Sequence, residues 1–156
     1  MIALISNCSN ILKINRMKIS QRAATWDDIG WLEPFYKSIM HPYYVEMNLT
    51  WDDTKFREYF DPQSTKIIQA DGLDIGMLKV QERVDCIYLG DIQLDREYRN
   101  KGIGTSLIES VIRSAIVANK PVRLRVLRGN PAKKLYIRLG FKEVETFDDC
   151  DILERA

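Results

Sequence analysis

The chain has 156 residues, 46% hydrophobic and 29% charged, with a formal net charge of +1. That suits one globular domain with its own core, and no apolar run reaches the length of a membrane span. Three cysteines, Cys8, Cys86 and Cys150, without CxxC spacing argue against a disulfide framework or a zinc site and for a reducing, cytoplasmic setting.

The opening MIALISNCSNILKINR has neither a basic start nor a small-residue cleavage site, so it does not read as a secretory signal. "KISQRAA" (18–24) alternates like a strand. Thr25 then stands as an N-cap with Asp28 three residues on, opening a helix through "WLEPFYKSIM" whose course past Pro34 the sequence leaves open. His41, the only histidine, precedes Pro42 and reads as a turn residue. A second capped start follows at Thr50, ahead of "KFREYF". "TKIIQA" and "DIGMLKVQ" flank Asp71-Gly72, a hairpin signature. "CIYLGDIQL" (86–94) is another strand. Residues 105–119 carry Leu107, Ile108, Val111, Ile112, Ala115 and Ile116 on one stripe, as an amphipathic helix does. "VRLRVL" (122–127) alternates as a strand. In "NPAKKLYIRLGF", Pro131 suits a first helical position and Gly140 a stop. "KEVETF" and "CDILE" complete a final hairpin. The predicted order is β-αα-βββ-α-β-α-ββ, an α/β fold with a mixed sheet and helices on both faces.

Charge is unevenly spread. Arg96–Lys142 holds 12 basic and 2 acidic residues, a balance of +10, and the remainder stands at −9. The basic half contains "REYRNKGIGTSLIESV" (96–111), where Gly102 and Gly104 precede an apolar helical run. Unpaired N–H groups and the positive dipole end at a helix start attract anions, and glycines let a phosphate approach them. A Walker loop would need a lysine that "GIGTSL" lacks. A dinucleotide fingerprint would need a third glycine where Leu107 stands. What matches is [RQ]-x-x-G-x-[GA], through Arg99, Gly102 and Gly104.

On that motif, and on "YLGDIQLDREYRNKGIGTSLIESVI" followed by "VRLRVLRGNPAKKLYIRLGF", the sequence resembles the GNAT superfamily of acyl-CoA-dependent N-acetyltransferases. The resemblance runs from about Lys18 to the C-terminus. Residues 1–16 fall outside it as an extension, and 17–156 form a single GNAT-like domain with a mostly antiparallel sheet. The resemblance implies that acetyl-CoA is the co-substrate, with no metal required. Backbone N–H groups of Arg99, Asn100, Lys101, Gly102, Ile103, Gly104 and Thr105 would hold the pyrophosphate. Ile92, Gln93 and Leu94 would pair with the pantetheine arm where their strand splays from "VRLRVL". Asn130 would contact that arm, and Tyr136 would lie beside the thioester sulfur. A homodimer is common in the family.

The implied reaction is acetyl transfer to a primary amine by direct attack in a ternary complex. It needs a neutral amine, a donor for the carbonyl oxygen and a proton for the departing thiolate. A backbone N–H on 92–94 can serve the oxygen. A tyrosine, ordinarily titrating near ~10, can serve the sulfur. For the base, Gly90 stands where a relative can carry glutamate, leaving Asp91, which shares a strand face with Gln93 and would act directly or through a water, with Glu46 on the αα segment as a second candidate. Tyr44, Glu46 and Trp51 are candidates for the acceptor pocket, with Asp52 and Asp53 adding negative charge on that side. Each assignment has a plainer alternative: Tyr136 as core packing, Asn130 as a helix cap, Asp52 and Asp53 as caps and solvated surface. The rival function is a non-catalytic acyl-CoA-binding regulatory module on the same fold. Nucleic acid is not expected as a partner, because overall charge is near neutral and no aromatic-interleaved basic motif occurs. No membrane partner is expected either. A small-molecule or peptide amine is.

Overall fold

The computed structural model describes residues 17–156, and the expectation for residues 1–16 lies outside them. Strand β1 (Ile19–Ala23) leads through a 3-10 turn at Trp26–Asp28 into helix α1 (Ile29–Glu46), then α2 (Asp53–Tyr59). Strands β2 (Thr65–Ala70), β3 (Leu73–Glu82) and β4 (Ile87–Leu94) follow, then α3 (Ile103–Val117), β5 (Val122–Leu127), α4 (Ala132–Arg138), β6 (Lys142–Thr146) and β7 (Cys150–Arg155). The order of elements is the predicted one.

Local chemistry accounts for the boundaries. Thr25 N–H donates to Asp28 Oδ2 at 2.8 Å, and Asp28 N–H returns a bond to the Thr25 carbonyl at 3.1 Å, closing the cap. Asp71 (φ 50°) and Gly72 (φ 82°) form the two-residue β2–β3 turn with both residues left-handed. The course left open at Pro34 is a continuous helix, since α1 runs unbroken past Pro34 and Pro42, and the reading of His41 is corrected: it is an exposed helical residue and not a turn. Both prolines are exposed, so water can take the carbonyls they leave without donors.

The sheet order is β1-β2-β3-β4-β5-β7-β6, antiparallel except for β4 beside β5. The final hairpin inserts its second strand next to β5, leaving β6 at the edge and exposed throughout. One core cluster joins the apolar stripe of α3 to Ile68, Leu78, Leu89, Leu124 and Tyr136. A second, under α1 and α2, holds Leu32, Phe56, Phe60, Ile67 and Met77. Ile67 and Ile68 are both fully buried, so successive residues of β2 supply opposite faces. No helix among the described residues is long and apolar enough to cross a membrane.

Two irregularities shape the centre of the sheet. The β4–β5 ladder has only three pairs, Ile87↔Val122, Tyr88↔Arg123 and Leu89↔Leu124, after which the strands part. On the other side of β4 the register shifts: Val80 pairs with Leu89 and Lys79 with Asp91, leaving Gly90 as the extra residue of a β-bulge. Asp91 and Lys79, as partners, face the same side of the sheet.

Candidate active site

Where β4 and β5 part, a cleft of about 950 Å³ opens between α1, β4, the start of α3 and α4. At one end is the glycine turn. Gly102 caps α3 at φ 80° and Asn100 is left-handed at φ 57°, so the chain reverses sharply before the helix starts. The first helical bond runs from Ser106 N–H to the Gly102 carbonyl at 3.0 Å, so the N–H groups of Gly102, Ile103, Gly104 and Thr105 precede the ladder. Nothing within 4 Å would meet a Cβ on Gly102, and one on Gly104 would have only Leu94 Cδ1 at 3.9 Å. Arg99 Nε donates to the Leu94 carbonyl at 2.8 Å, fastening this turn to the end of β4. Four orphan donors, a helix dipole and a cationic side chain fit a pyrophosphate.

The charge imbalance of the sequence is settled in part across the fold. Arg123 pairs with Glu154 and Asp85, Arg125 with Asp149, and Lys133 with Asp151 and Glu143. Arg99, Lys134 and Arg138 line the cleft and form no salt bridge with a described residue.

From Gly90 onward β4 pairs only with β3, so its backbone groups on the far side face the cleft; Ile92, Gln93 and Leu94 all line it. Their close fit to β3 depends on Gly76, where any Cβ would collide with the Gln93 carbonyl. Asp91 sits at the cleft floor, ringed by polar groups from several elements. Gln93 Nε2 donates to its Oδ1 at 2.8 Å and Tyr59 Oη to its Oδ2 at 3.3 Å, with the Tyr36 hydroxyl acting on the same carboxylate. Burial pushes the Asp91 carboxyl above the ordinary carboxylate range, against the pull of those donors. It pushes the Tyr36 and Tyr59 hydroxyls up as well, and the Asp91 charge adds to both.

Tyr136 is 7% exposed and packs edge-on against Phe141, ring centroids 5.7 Å apart. Its hydroxyl bonds to no described residue, yet no enclosed side-chain oxygen or nitrogen among those residues lacks a partner. The hydroxyl therefore reaches the cleft that Tyr136 lines. Burial raises it well above the usual phenol value, with Asp91 contributing. Asn130 Oδ1 accepts from Ala132 N–H at 2.9 Å, capping α4 as the plainer alternative had it, and Asn130 also lines the cleft.

The acceptor candidates separate. Tyr44 lines the cleft beside Tyr43, Met40 and Leu49. Trp51 stands behind Tyr44 and Tyr36, at 5.2 and 6.1 Å between centroids, and supports that wall without lining it. Glu46 ends α1 opposite Gly129, whose Cβ would lie 3.7 Å from Glu46 Oε1. Asp52 caps α2 through Thr54 N–H at 2.9 Å, and Asp53 pairs with Lys37 at 2.7 Å, so both follow the plainer alternative. The sequence reading missed Tyr36, Tyr59 and Lys79. The one available signal was Lys79 itself, a charge inside the apolar run "GMLKV".

The family model of the acetyltransferase (GNAT) domain matches residues 62–143, just over half of the chain. The chain belongs to the GNAT acetyltransferase family. No curated protein matches the sequence. Solved GNAT-like structures share its fold at low identity. The PaiA N-acetyltransferase of Thermoplasma acidophilum, in complex with coenzyme A, superposes with a TM-score of 0.71 at 20% identity, covering 88% of this chain and 98% of that one. The ribosomal-protein-S18-alanine N-acetyltransferase of Escherichia coli gives 0.64 at 20%, covering 88% and 92%. Naa50 of Arabidopsis thaliana, bound to the bisubstrate analogue CoA-Ac-MVNAL, gives 0.64 at 16%, covering 88% and 98%. The GNAT match spans β2 to the start of β6, and so includes the glycine turn, Asp91 and Tyr136.

Proposed function

We propose that this GNAT protein is an N-acetyltransferase that moves an acetyl group from acetyl-CoA to a primary amine, by direct attack of the amine within a ternary complex. The observation that carries the reading is one cleft onto which three things open: the free N-terminus of α3, the Asp91 carboxylate and the Tyr136 hydroxyl. The N–H groups around Asn100–Thr105 and the Arg99 guanidinium receive the pyrophosphate. The cleft-facing backbone of Ile92–Leu94 pairs with the pantetheine arm, and the Asn130 side-chain amide bonds to it. The neighbours solved with coenzyme A and with a CoA analogue support this placement.

Acetyl-CoA brings the activated acyl group; the chain positions it and handles protons. Asp91 takes a proton from the acceptor ammonium, directly or through a water. Its raised affinity for protons narrows the gap to an alkylamine and makes that transfer less uphill. A β4 N–H stabilises charge on the carbonyl oxygen. As the C–N bond forms and the C–S bond breaks, Tyr136, held protonated by burial, gives its proton to the departing sulfur, and the surplus proton on the new amide nitrogen returns to the phenolate through water. A non-catalytic module would need neither an open hydroxyl at Tyr136 nor a carboxylate with raised proton affinity on the cleft floor.

The acceptor is a small-molecule or peptide amine. Tyr44 and Met40 form an apolar wall for its carbon skeleton, and Glu46, which does not itself line the cleft, adds an acidic group beside Gly129, next to the cleft residue Asn130. The named activity of the Escherichia coli neighbour and the peptide portion of the Arabidopsis ligand support the peptide option. The buried free thiols Cys86 and Cys150 suit a reducing cytoplasm.

Thiol release from acetyl-CoA is measured across a panel of polyamines, amino acids and peptide N-termini at two ionic strengths. Turnover with at least one cationic amine, stronger at low salt, is expected. Tight coenzyme A binding without acceptor-dependent thiol release would make the protein a binding module. Preference for acidic acceptors would remove the argument from Glu46.

A further inference from the structure

Gly90 stands at the position where, by the resemblance, a relative can carry glutamate. Here that position is bounded by two side chains in van der Waals contact. A Cβ on Gly90 would lie 3.4 Å from Lys79 Cγ and 3.4 Å from Tyr59 Oη. Lys79 is only 3% exposed, unusual for a lysine in a strand. It is the ladder partner of Asp91 across the bulge, on the same face of the sheet. Its ammonium lies 3.3 Å from the centroid of the Tyr59 ring and donates to the Tyr59 carbonyl. Tyr59 Oη in turn contacts Asp91 Oδ2 and the Gly90 carbonyl, each at 3.3 Å. A buried cation, an aromatic ring and the carboxylate thus form one stack beneath the cleft.

We propose that Lys79 and Tyr59 are positioning residues for the base, with the Lys79 charge keeping the Asp91 carboxylate ionised and Tyr59 aiming it into the cleft. The idea rests on Asp91 acting as base. The bulge supplies the geometry: the extra residue at Gly90 brings Asp91 into register with Lys79, and the missing side chain admits the lysine stem and the tyrosine hydroxyl.

The groups facing Asp91 come from every surrounding element. They are Tyr36 on α1, Tyr59 on α2, Lys79 on β3, Tyr88 and Gln93 on β4, and Tyr136 on α4. Among these Lys79 is the only cation. The tyrosines are neutral at working pH, so they offer hydrogen bonds but no counter-charge. Removing Lys79 leaves a carboxylate buried among phenols, and such a carboxyl holds its proton to higher pH. Burial likewise pushes the Lys79 ammonium down, while Asp61 and Asp91 favour its charged form.

The test compares pH profiles of kcat/KM for wild type, Lys79→Met, which keeps an apolar stem, and Tyr59→Phe, which keeps the ring and loses the contact to Asp91. Lys79→Met is expected to shift the acid limb upward by about one pH unit or more. Tyr59→Phe, which removes a direct hydrogen bond to the carboxylate, should shift it the same way and at least as far, with coenzyme A binding unchanged in both. Carbon-13 NMR titration of the Asp91 carboxyl in the same proteins reads the coupling without relying on turnover. A carboxyl titration unmoved in both variants overturns the proposal and leaves Lys79 a packing residue. Should Lys79→Met fail to fold, Tyr59→Phe decides alone. An acid limb that persists in Asp91→Asn removes Asp91 as base, an outcome the NMR titration separates from failure of the Lys79 coupling.

Discussion

Replacing Tyr136 with phenylalanine separates catalysis from packing, because the two roles sit on different atoms of one side chain. The ring is buried and meets Phe141 at an interplanar angle of 66°, a contact phenylalanine reproduces. The hydroxyl has no partner among the described residues and ends in the cleft, so deleting it strands no buried donor or acceptor among them. Stability should change by less than about 0.5 kcal/mol, whereas Tyr136→Ala, which empties the ring site, should cost about 3–5 kcal/mol. Loss of the proton donor to sulfur should lower kcat by ~10²-fold, or about 2.7 kcal/mol of barrier. Thiol release with saturating acetyl-CoA gives kcat, melting curves give stability, and calorimetry gives coenzyme A affinity. Because burial holds the phenol protonated beyond its usual range, the wild-type to variant rate ratio should stay constant through the neutral and alkaline region. Undiminished turnover in a normally folded Tyr136→Phe refutes the general-acid role. A rate loss matched by an equal loss of stability assigns Tyr136 to packing.

Gly104→Val, whose Cβ meets only Leu94 Cδ1 at 3.9 Å but whose methyl groups crowd the phosphate's approach, should weaken acetyl-CoA at least tenfold by calorimetry, about 1.4 kcal/mol. Gly102→Val should abolish binding and also cost about 1–2 kcal/mol for a branched residue at φ 80°. Gly76→Ala should lower the melting temperature and acetyl-CoA affinity together, because its Cβ drives β3 off the Gln93 carbonyl. Asp28, hydrogen-bonded to Arg22 at 2.7 Å, is held down at about 2 from an ordinary 3.8. A depressed carboxyl stabilises the fold above its unfolded value and loses that contribution as pH falls from 3.8 toward about 2. The unfolding free energy from urea melts should drop across that window by about 2 kcal/mol in wild type and by correspondingly less in Asp28→Asn.

The elements were legible because each carried a local signal: alternation in "VRLRVL", the stripe on α3, the turn at Asp71-Gly72, the cap at Thr25. The phosphate end was legible for the same reason, since glycines, helix start and arginine are neighbours in sequence. The carboxylate stack was not. Tyr36, Tyr59, Lys79 and Asp91 come from four elements, and their meeting depends on a bulge whose only mark in sequence is Gly90. The course of α1 was hidden by Pro34 and Pro42, whose local preference is overridden by the core contacts of Leu32, Phe35 and Tyr36.

The parting of β4 and β5 has a mechanical side. Three backbone pairs join one half of the sheet, with α1 and α2, to the other, with β7 and β6, and beyond Leu89 the two halves hold each other only through side chains. A ligand lying in that gap and bonding to the β4 backbone acts as a missing rung of the ladder, so part of its affinity is returned as rigidity of the whole sheet. Amides on both sides of the gap should then exchange with solvent more slowly once it is seated, including those on β5 that it never touches.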